Sequence, residues 1–348
     1  MPRLTRCTIF LLLACTLPTA ARDVDGTLHL IQTPNNGVPQ IIVPGESMKA
    51  VLTHEAALSL VHEEEAWPLD CDWSALPGDM LCASCRTPDT LAPGCYALAA
   101  ETDTVRDRNE RAVYVVESFP EHYFIAHVTD THIGTTRHPR TDTEIIGEVV
   151  DSVNESEAAF VLITGDLTEN GAPEQFRLFL ELLDRFVMPV FVVPGNHDRQ
   201  NRHYESFFGP LTYAFQFGSD GYLGFDTKDY FIADELGPQD GALHRLRRLL
   251  RPSRWSVGFT HRYDVTMGMR AQLILFVDDP LDYLIYGHYH REAGEQDGIP
   301  WGKTSIIMTP AAINGYWRLI GVDAQGVHIH ETIRAASTGR EDAPRQNY

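Results

Sequence analysis

Apolar positions along the chain follow two rhythms that change at Phe119-Pro120. Before that point, short apolar or alternating runs (Leu28 to Ile31, Ile41 to Val43, Tyr96 to Ala99, Ala112 to Val116) are separated by Pro, Gly and Asn turns. This pattern predicts a small all-β, Ig-like sandwich over 22–118. Beyond it, strand-like and helix-like stretches alternate. Tyr123 to Val128, Phe160 to Ile163, Val190 to Val193, Tyr222 to Phe225, Val257 to Phe259 and Tyr283 to Tyr286 are compact apolar runs of the kind buried sheets use. Between them, Thr143 to Glu155 places Ile145, Ile146, Val149, Val150 and Val153 on one helical face, and Pro173 to Phe186 does the same with Phe176, Phe179, Leu182, Leu183 and Phe186. Ala242 to Leu250 and Gln272 to Val277 read as further helices. Ile306 to Met308, Arg318 to Val322 and Val327 to His330 read as closing strands, so an α/β unit is assigned to 122–332 and a tail to 333–348.

In such a unit, ligands gather where strands end and loops begin. Five strand ends here carry polar cargo. Ile125 to Val128 runs into Asp130-Thr131-His132, Val161 to Ile163 into Gly165-Asp166, and Val190 to Val193 into Pro194-Gly195-Asn196-His197-Asp198. Val257 to Phe259 delivers His261, and Leu284 to Tyr286 delivers Gly287-His288-Tyr289-His290. One such turn is unremarkable as a polar loop; five in series are not. Asp130, His132, Asp166, Asn196, His261, His288 and His290 supply mixed oxygen and nitrogen donors, too many for one ion and enough for two sharing a carboxylate. With no thiolate among them, the set suits Mn, Fe, Zn, Co or Ni. Two such ions can clamp the attacking and leaving oxygens of an in-line displacement.

Composition narrows the partners. The chain carries a net charge of -20, two units more negative without Arg3 and Arg6, which disfavours a nucleic-acid polymer. Residues 1–21 have the form of a signal peptide: Arg3 and Arg6, an apolar core from Thr8 to Leu17, and a small-residue exit before Arg22. Leu12-Leu13-Ala14-Cys15 offers an alternative, a lipoprotein leader ending at 14 with a lipid anchor at Cys15; Leu13 favours soluble export, periplasmic or extracellular. No other stretch approaches the length of a membrane-spanning helix. In an oxidising compartment Cys71, Cys82, Cys85 and Cys95 are expected to form two disulfides of open connectivity, with a structural zinc or a Cys82-x-x-Cys85 redox pair as the other readings.

The series Asp-x-His, Gly-Asp, Gly-Asn-His-Asp, His, Gly-His-x-His, from about Tyr123 to Glu331, resembles the signature of the calcineurin-like metallophosphoesterases. The resemblance implies a double β-sandwich flanked by helices and two divalent ions. Asp130, His132, Asp166 and His290 would hold the first, and Asp166, Asn196, His261 and His288 the second, with Asp166 the bridge. It further implies a metal-bridging hydroxide that attacks phosphorus, His197 in contact with the phosphoryl group, and Asp198 as the partner that orients His197. Glu169 stands where purple acid phosphatases have a tyrosine ligand, and Leu167 to Gly171 contains no arginine of the serine/threonine phosphatase kind. The text around Asp166 and Asn196 is most similar to bacterial phosphodiesterases acting on cyclic nucleotides or glycerophosphodiesters. Arg199, Arg262 and Arg291 follow metal-binding motifs and are candidate contacts to a substrate phosphate. The expected function is therefore hydrolysis of a small phosphodiester. The alternatives are a phosphomonoesterase on the same site and a binding or adhesion protein whose metallo-domain is vestigial.

Overall fold

The computed structural model describes residues 26–227, 238–263 and 272–339. The leader with Cys7 and Cys15, residues 228–237 and 264–271, and the end of the tail lie outside the described residues.

The N-terminal part is built from β1 (Ile31–Thr33), β2 (Gln40–Ile42), β3 (Ser47–Leu52), β4 (Ala57–His62), β5 (Glu65–Pro68), β6 (Asp70–Leu76), β7 (Met80–Arg86), β8 (Gly94–Glu101) and β9 (Arg106–Val115). Sheet β1-β3-β7-β6 faces sheet β2-β9-β8-β4-β5. Between them Met48, Ala50, Leu52, Leu60, Ala83, Leu98 and Val113 are wholly buried. One disulfide joins Cys71 to Cys85, which stand directly opposite each other on β6 and β7. The expectation of two disulfides is corrected: Cys82 and Cys95 are free, because Cys82 sits on β7 in one sheet and Cys95 on β8 in the other.

After Phe119, whose ring packs edge-on against Phe217, a second sandwich begins. Its first sheet, in the order β12-β11-β10-β19-β20, comprises β10 (Tyr123–Val128), β11 (Ala158–Thr164), β12 (Val190–Val193), β19 (Tyr316–Val322) and β20 (Val327–Arg334). The second, in the order β13-β14-β15-β16-β18-β17, comprises β13 (Thr212–Phe217), β14 (Asp220–Phe225), β15 (Ser256–Phe259), β16 (Tyr283–Tyr286), β17 (Ala293–Glu295) and β18 (Ser305–Met308). Strands β10, β11 and β12 run parallel, as do β14, β15, β16 and β18. Side chains alternate as the strand period requires. On β12, Val190 and Val192 face a helical layer while Phe191 and Val193 face the other sheet, against Tyr222, Val257 and Phe259.

The helical layer on the first sheet is α1 (Asp142–Asn154) and α2 (Pro173–Leu183). Thr141 and Glu144 start α1 with a reciprocal capping box, and Pro173 opens α2, where a missing N–H is harmless. Ile145, Val149, Val150 and Val153 are fully buried, each contributing roughly 1.5–3 kcal/mol. On the second sheet lie α4 (Pro238–Leu249) and a π-helical turn, Leu273–Asp278. This is the double β-sandwich with flanking helices that the resemblance implied, built on the α/β alternation.

Several elements differ from expectation. The helix begun at Pro173 stops at Leu183, short of Phe186, and Gln272 to Val277 forms a π-helical turn in place of an α-helix. Between Val193 and Tyr222, where the apolar pattern gave no element, the structure has α3 (Tyr204–Phe208) and β13. The assigned tail starts too early: β20 continues to Arg334, and Ala336 is buried in the first sheet's outer core. Among the described residues, no helix is long and apolar enough to cross a membrane.

The two sandwiches are packed together. The turn after β1 lies along β12, an edge strand, with the Val192 amide donating to the Gly37 carbonyl at 2.8 Å. Asn36 reaches Asp184 at 2.6 Å, and Tyr114 donates to the Met188 carbonyl at 3.4 Å. An otherwise open strand edge is thereby covered.

Candidate metal centre

Parallel strands place all their C-terminal ends at the same side, so the loops after β10, β11, β12, β15 and β16 converge there. The loop after β10 continues beside the loop after β11: Asp130 donates its amide to the Gly165 carbonyl at 3.0 Å, His132 to Asp166 at 2.9 Å and Ile133 to Leu167 at 3.0 Å. Backbone strain concentrates at these positions. Asp130, His132, Asp166, His288 and His290 all have positive φ, between 46° and 68°, a conformation that L-residues avoid and that functional sites retain. Gly195 and Gly287 permit the close approach. A Cβ on Gly195 would strike the backbone and carboxylate of Asp166, and one on Gly287 would strike Thr129 and Asp130.

The described donors fall into three groups, Asp130-His132-His290, His132-Asp166-His197 and Asp166-His261-His288, each with ligand atoms within 4.8 Å of one another, and the first and last share no residue. His132 links them, its Nε2 3.8 Å from both Asp130 Oδ1 and Asp166 Oδ2. That spacing is too long for hydrogen bonds and suits donors directed at shared cations. His290 Nε2 lies 3.2 Å from Asp130 Oδ1, and His261 Nε2 3.1 Å from Asp166 Oδ2. The Asn196 amide oxygen is buried without a hydrogen-bond partner, as a carbonyl ligand would be. These residues fit divalent metal ions in donor type and burial.

Electrostatics agree. Burial opposes ionisation of Asp130, but a bond to His290 and the charges of His261 and His290 hold it below the usual carboxylate range. Burial pushes His132 down to about 4 against the pull of Asp166 and Asp130. It likewise lowers His288 to about 4, helped by His261 and Arg262. Both imidazoles are thus neutral near pH 7, with lone pairs available to a cation. Burial disfavours charge on His261, yet Asp166 overrides it and raises the group to about 9, a proton that a bound metal would displace.

Support comes from residues behind the donors. His261 Nδ1 bonds the Thr164 carbonyl at 2.9 Å, which turns Nε2 towards Asp166. The His288 amide donates to Asp130 at 2.9 Å, tying a loop of the second sheet to one of the first. Below them His127, wholly buried and lowered to about 3 by burial and by Arg318, bridges Thr309 at 2.6 Å and Thr164 at 2.8 Å.

The structure corrects the expected role of Asp198. Its carboxylate accepts from the amides of Gly195 at 2.8 Å, Leu167 at 3.0 Å and Thr168 at 2.9 Å, and from the Thr168 hydroxyl at 2.8 Å. It braces two loops and does not touch His197. His197 Nδ1 instead meets the Glu169 carbonyl, and its Nε2 lies 4.0 Å from Asp166 Oδ2. Glu169 also sets its carboxylate 3.0 Å from His132 Nδ1 and pairs with Arg137 at 2.7 Å. Sequence reasoning missed this double role; its position three residues after Asp166 was the available signal.

The arginines divide. Arg199 is corrected: it is buried between Asp226 at 3.1 Å and Glu205 at 2.6 Å, a structural pair that leaves it no reach to substrate. Arg262 adjoins His261 and is close enough to depress His288, while Arg291 is exposed, with its guanidinium 5.7 Å from the Tyr289 ring centre. Trp317 is buried, donating to Ser152 at 3.0 Å, and belongs to the core.

Residues 125–292 match the family model described as calcineurin-like phosphoesterase. Among curated proteins, the chain is 25% identical over 236 residues to the DNA double-strand break repair protein Mre11 of Thermoplasma acidophilum, covering 58% of this chain and 60% of the relative. It is 25% identical over 189 residues to a probable cyclic nucleotide phosphodiesterase of Vesicomyosocius okutanii, covering 49% and 80%. It is also 25% identical over 188 residues to a 3',5'-cyclic adenosine monophosphate phosphodiesterase of Haemophilus influenzae, covering 48% and 65%. The chain thus spans about 60% of the length of the first of these relatives. In fold it is similar to purple acid phosphatase from yellow lupin (Lupinus luteus) seeds, with a TM-score of 0.53 at 10% identity over 93% of this chain and 78% of that one. The strand ends that converge on two donor triads lie within the matched stretch, and the chain carries a calcineurin-like phosphoesterase domain.

Proposed function

We propose that the protein is an exported, two-metal phosphodiesterase acting on a small phosphodiester. The observation that carries this reading is the pair of donor triads joined through His132 and Asp166. Asp130, His132, Asp166 and His290 hold one divalent ion, and Asp166, Asn196, His261 and His288 the other. Once bound, the ions supply an activated water near neutral pH and neutralise charge on the phosphoryl oxygens. The protein's own groups do the rest. A carbonyl can only accept, so Glu169 fixes the proton of His197 on Nδ1 when the ring is neutral and leaves Nε2 directed at the site. When protonated, Nε2 donates to the phosphoryl group or to the departing alkoxide, the role of a general acid. Arg262 and Arg291 supply positive charge at the rim.

Relatives named as cyclic nucleotide phosphodiesterases support a diester as substrate. Export is supported by the leader-like residues 1–21 and by the Cys71–Cys85 disulfide, a bond typical of oxidising compartments. The test is hydrolysis of bis(para-nitrophenyl) phosphate and of the monoester by protein stripped of metal and then given Mn²⁺, Zn²⁺, Co²⁺ or Fe²⁺. Metal-dependent turnover faster on the diester, and lost in Asp166→Ala and His197→Ala, is the expected result. Faster turnover of the monoester would reverse the substrate assignment, and silence on both would refute hydrolysis.

A further inference from the structure

Tyr289 stands between two metal donors, His288 and His290, and is 41% exposed. An exposed aromatic on a loop is ordinarily mobile, but this one is held on several sides. Its hydroxyl donates to the Tyr263 carbonyl at 3.2 Å, so its polar end is spent on the protein. Its ring meets the His288 imidazole at 5.0 Å and 77°, and Tyr286 at 6.4 Å and 80°. The Arg291 guanidinium lies 5.7 Å from its centre. Of the other exposed large apolar side chains described, Leu178, Val187 and Leu249 sit on helices or turns, and the aromatic Trp301 sits in the turn before β18, whereas Tyr289 lies between two donors. Tyr289 thus presents a held, partly exposed ring next to the His288 donor, with the Arg291 guanidinium over it.

We propose that Tyr289, backed by Arg291, is a stacking wall for the organic group of the substrate, giving the site a preference for phosphoesters that carry a flat ring such as a nucleobase. The inference deepens the phosphodiesterase reading and rests on it for the position of the phosphate. A π-face on rigid backing accepts any flat ring at little conformational cost, and base stacking on an aromatic side chain contributes ~1–3 kcal/mol.

The test compares calorimetric binding of AMP and glycerol 3-phosphate to the Mn²⁺-loaded full-length protein, its Tyr289→Leu and Tyr289→Phe variants, and an Arg291→Ala variant. Metal content is measured for each. The wild type is expected to favour AMP. Tyr289→Leu, with metal retained, should lower the AMP-to-glycerol-phosphate affinity ratio roughly tenfold, and Tyr289→Phe should keep it within about twofold. Arg291→Ala should lower it less than Tyr289→Leu does. An unchanged ratio in Tyr289→Leu, parallel weakening of both ligands, an equal fall in Tyr289→Phe, or no AMP binding by the wild type would each overturn the proposal. Turnover of the bis ester is read separately: its absence with the binding pattern intact refutes hydrolysis, whereas its persistence with the pattern lost refutes the stacking wall alone.

Discussion

Two β-sandwiches share this chain, and among the described residues the candidate metal donors lie in the second. In the N-terminal one nearly every neighbouring pair is antiparallel, β2 with β9 being the exception, so strand ends fall on both sides and are closed by turns such as His62–Glu65 and Leu76–Met80. In the C-terminal one, parallel runs in both sheets send five loops to one side. Strained backbone follows the same division. Positive φ at non-glycine residues in the first sandwich falls on isolated positions, Glu63, Asp79 and Arg111, while in the second it falls on five of the metal donors besides Arg202 and Asp297. Composition does not separate the two regions, since each has buried carboxylates and surface histidines. Strand direction does, because it decides whether polar loops can meet.

A matched pair of buried carboxylates probes that difference most strongly. Asp198 holds the loops that carry Asp166 and Asn196, whereas Asp107 in the first sandwich takes the Ile31 amide at 2.7 Å and that of Arg108 at 2.8 Å. Removing either leaves buried N–H groups without partners, at ~1–3 kcal/mol each. Asp198→Ala is expected to lower kcat on the bis ester by at least ~10²-fold, since the donors it braces lose their geometry. Asp107→Ala should lower the melting temperature while kcat changes less than about twofold. Equal losses of turnover in both variants would break the comparison and make the first sandwich part of the active machinery.

Within the catalytic sandwich, the next largest effect belongs to Glu169. Its carboxylate adjoins His132, so Glu169→Ala should weaken metal binding by ~10–100-fold, read as the metal concentration that restores half-maximal turnover. The His197 contact is made by the backbone carbonyl and survives the substitution, so turnover at saturating metal should fall much less. A large loss at saturating metal with unchanged metal affinity would move Glu169 from orienting a donor to contacting substrate.

How much of this was legible in the sequence follows from which interactions are local. Strands β10, β11 and β12 are continuous apolar runs, and α1 announces itself through Thr141, Glu144 and its Ile/Val face, so periodicity found them. The donors were legible because each lies within a few residues of a strand end. Strands β5 and β6 were not: they are largely exposed, so no buried face imposes alternation on Glu65 to Leu76. β13 was hidden because its role is to pair with β14 at the sheet's edge, a non-local fact. The functions of Asp198, Glu169 and Arg199 were misread or missed for a similar reason. Their partners are backbone groups or residues brought in by folding, and adjacency to His197 wrongly suggested that Asp198 served it.

The smallest effect on turnover is expected from the first sandwich's covalent link. Cys71 and Cys85 enclose a separation of 14 residues, a loop for which chain entropy gives ~3 kcal/mol of stabilisation. The β6–β7 ribbon they join lies at the opposite edge of its sheet from β1, whose following turn lies along β12, and in the other sheet from β9, whose Tyr114 reaches Met188. The double substitution Cys71→Ala with Cys85→Ala should therefore loosen the ribbon, seen as faster amide exchange over Asp70 to Arg86, while kcat and metal affinity stay within about twofold. If turnover instead fell with ribbon order, the N-terminal sandwich would have to transmit its state through the contacts at Gly37, Asn36 and Tyr114, and the boundary drawn here by strand direction would not isolate the site.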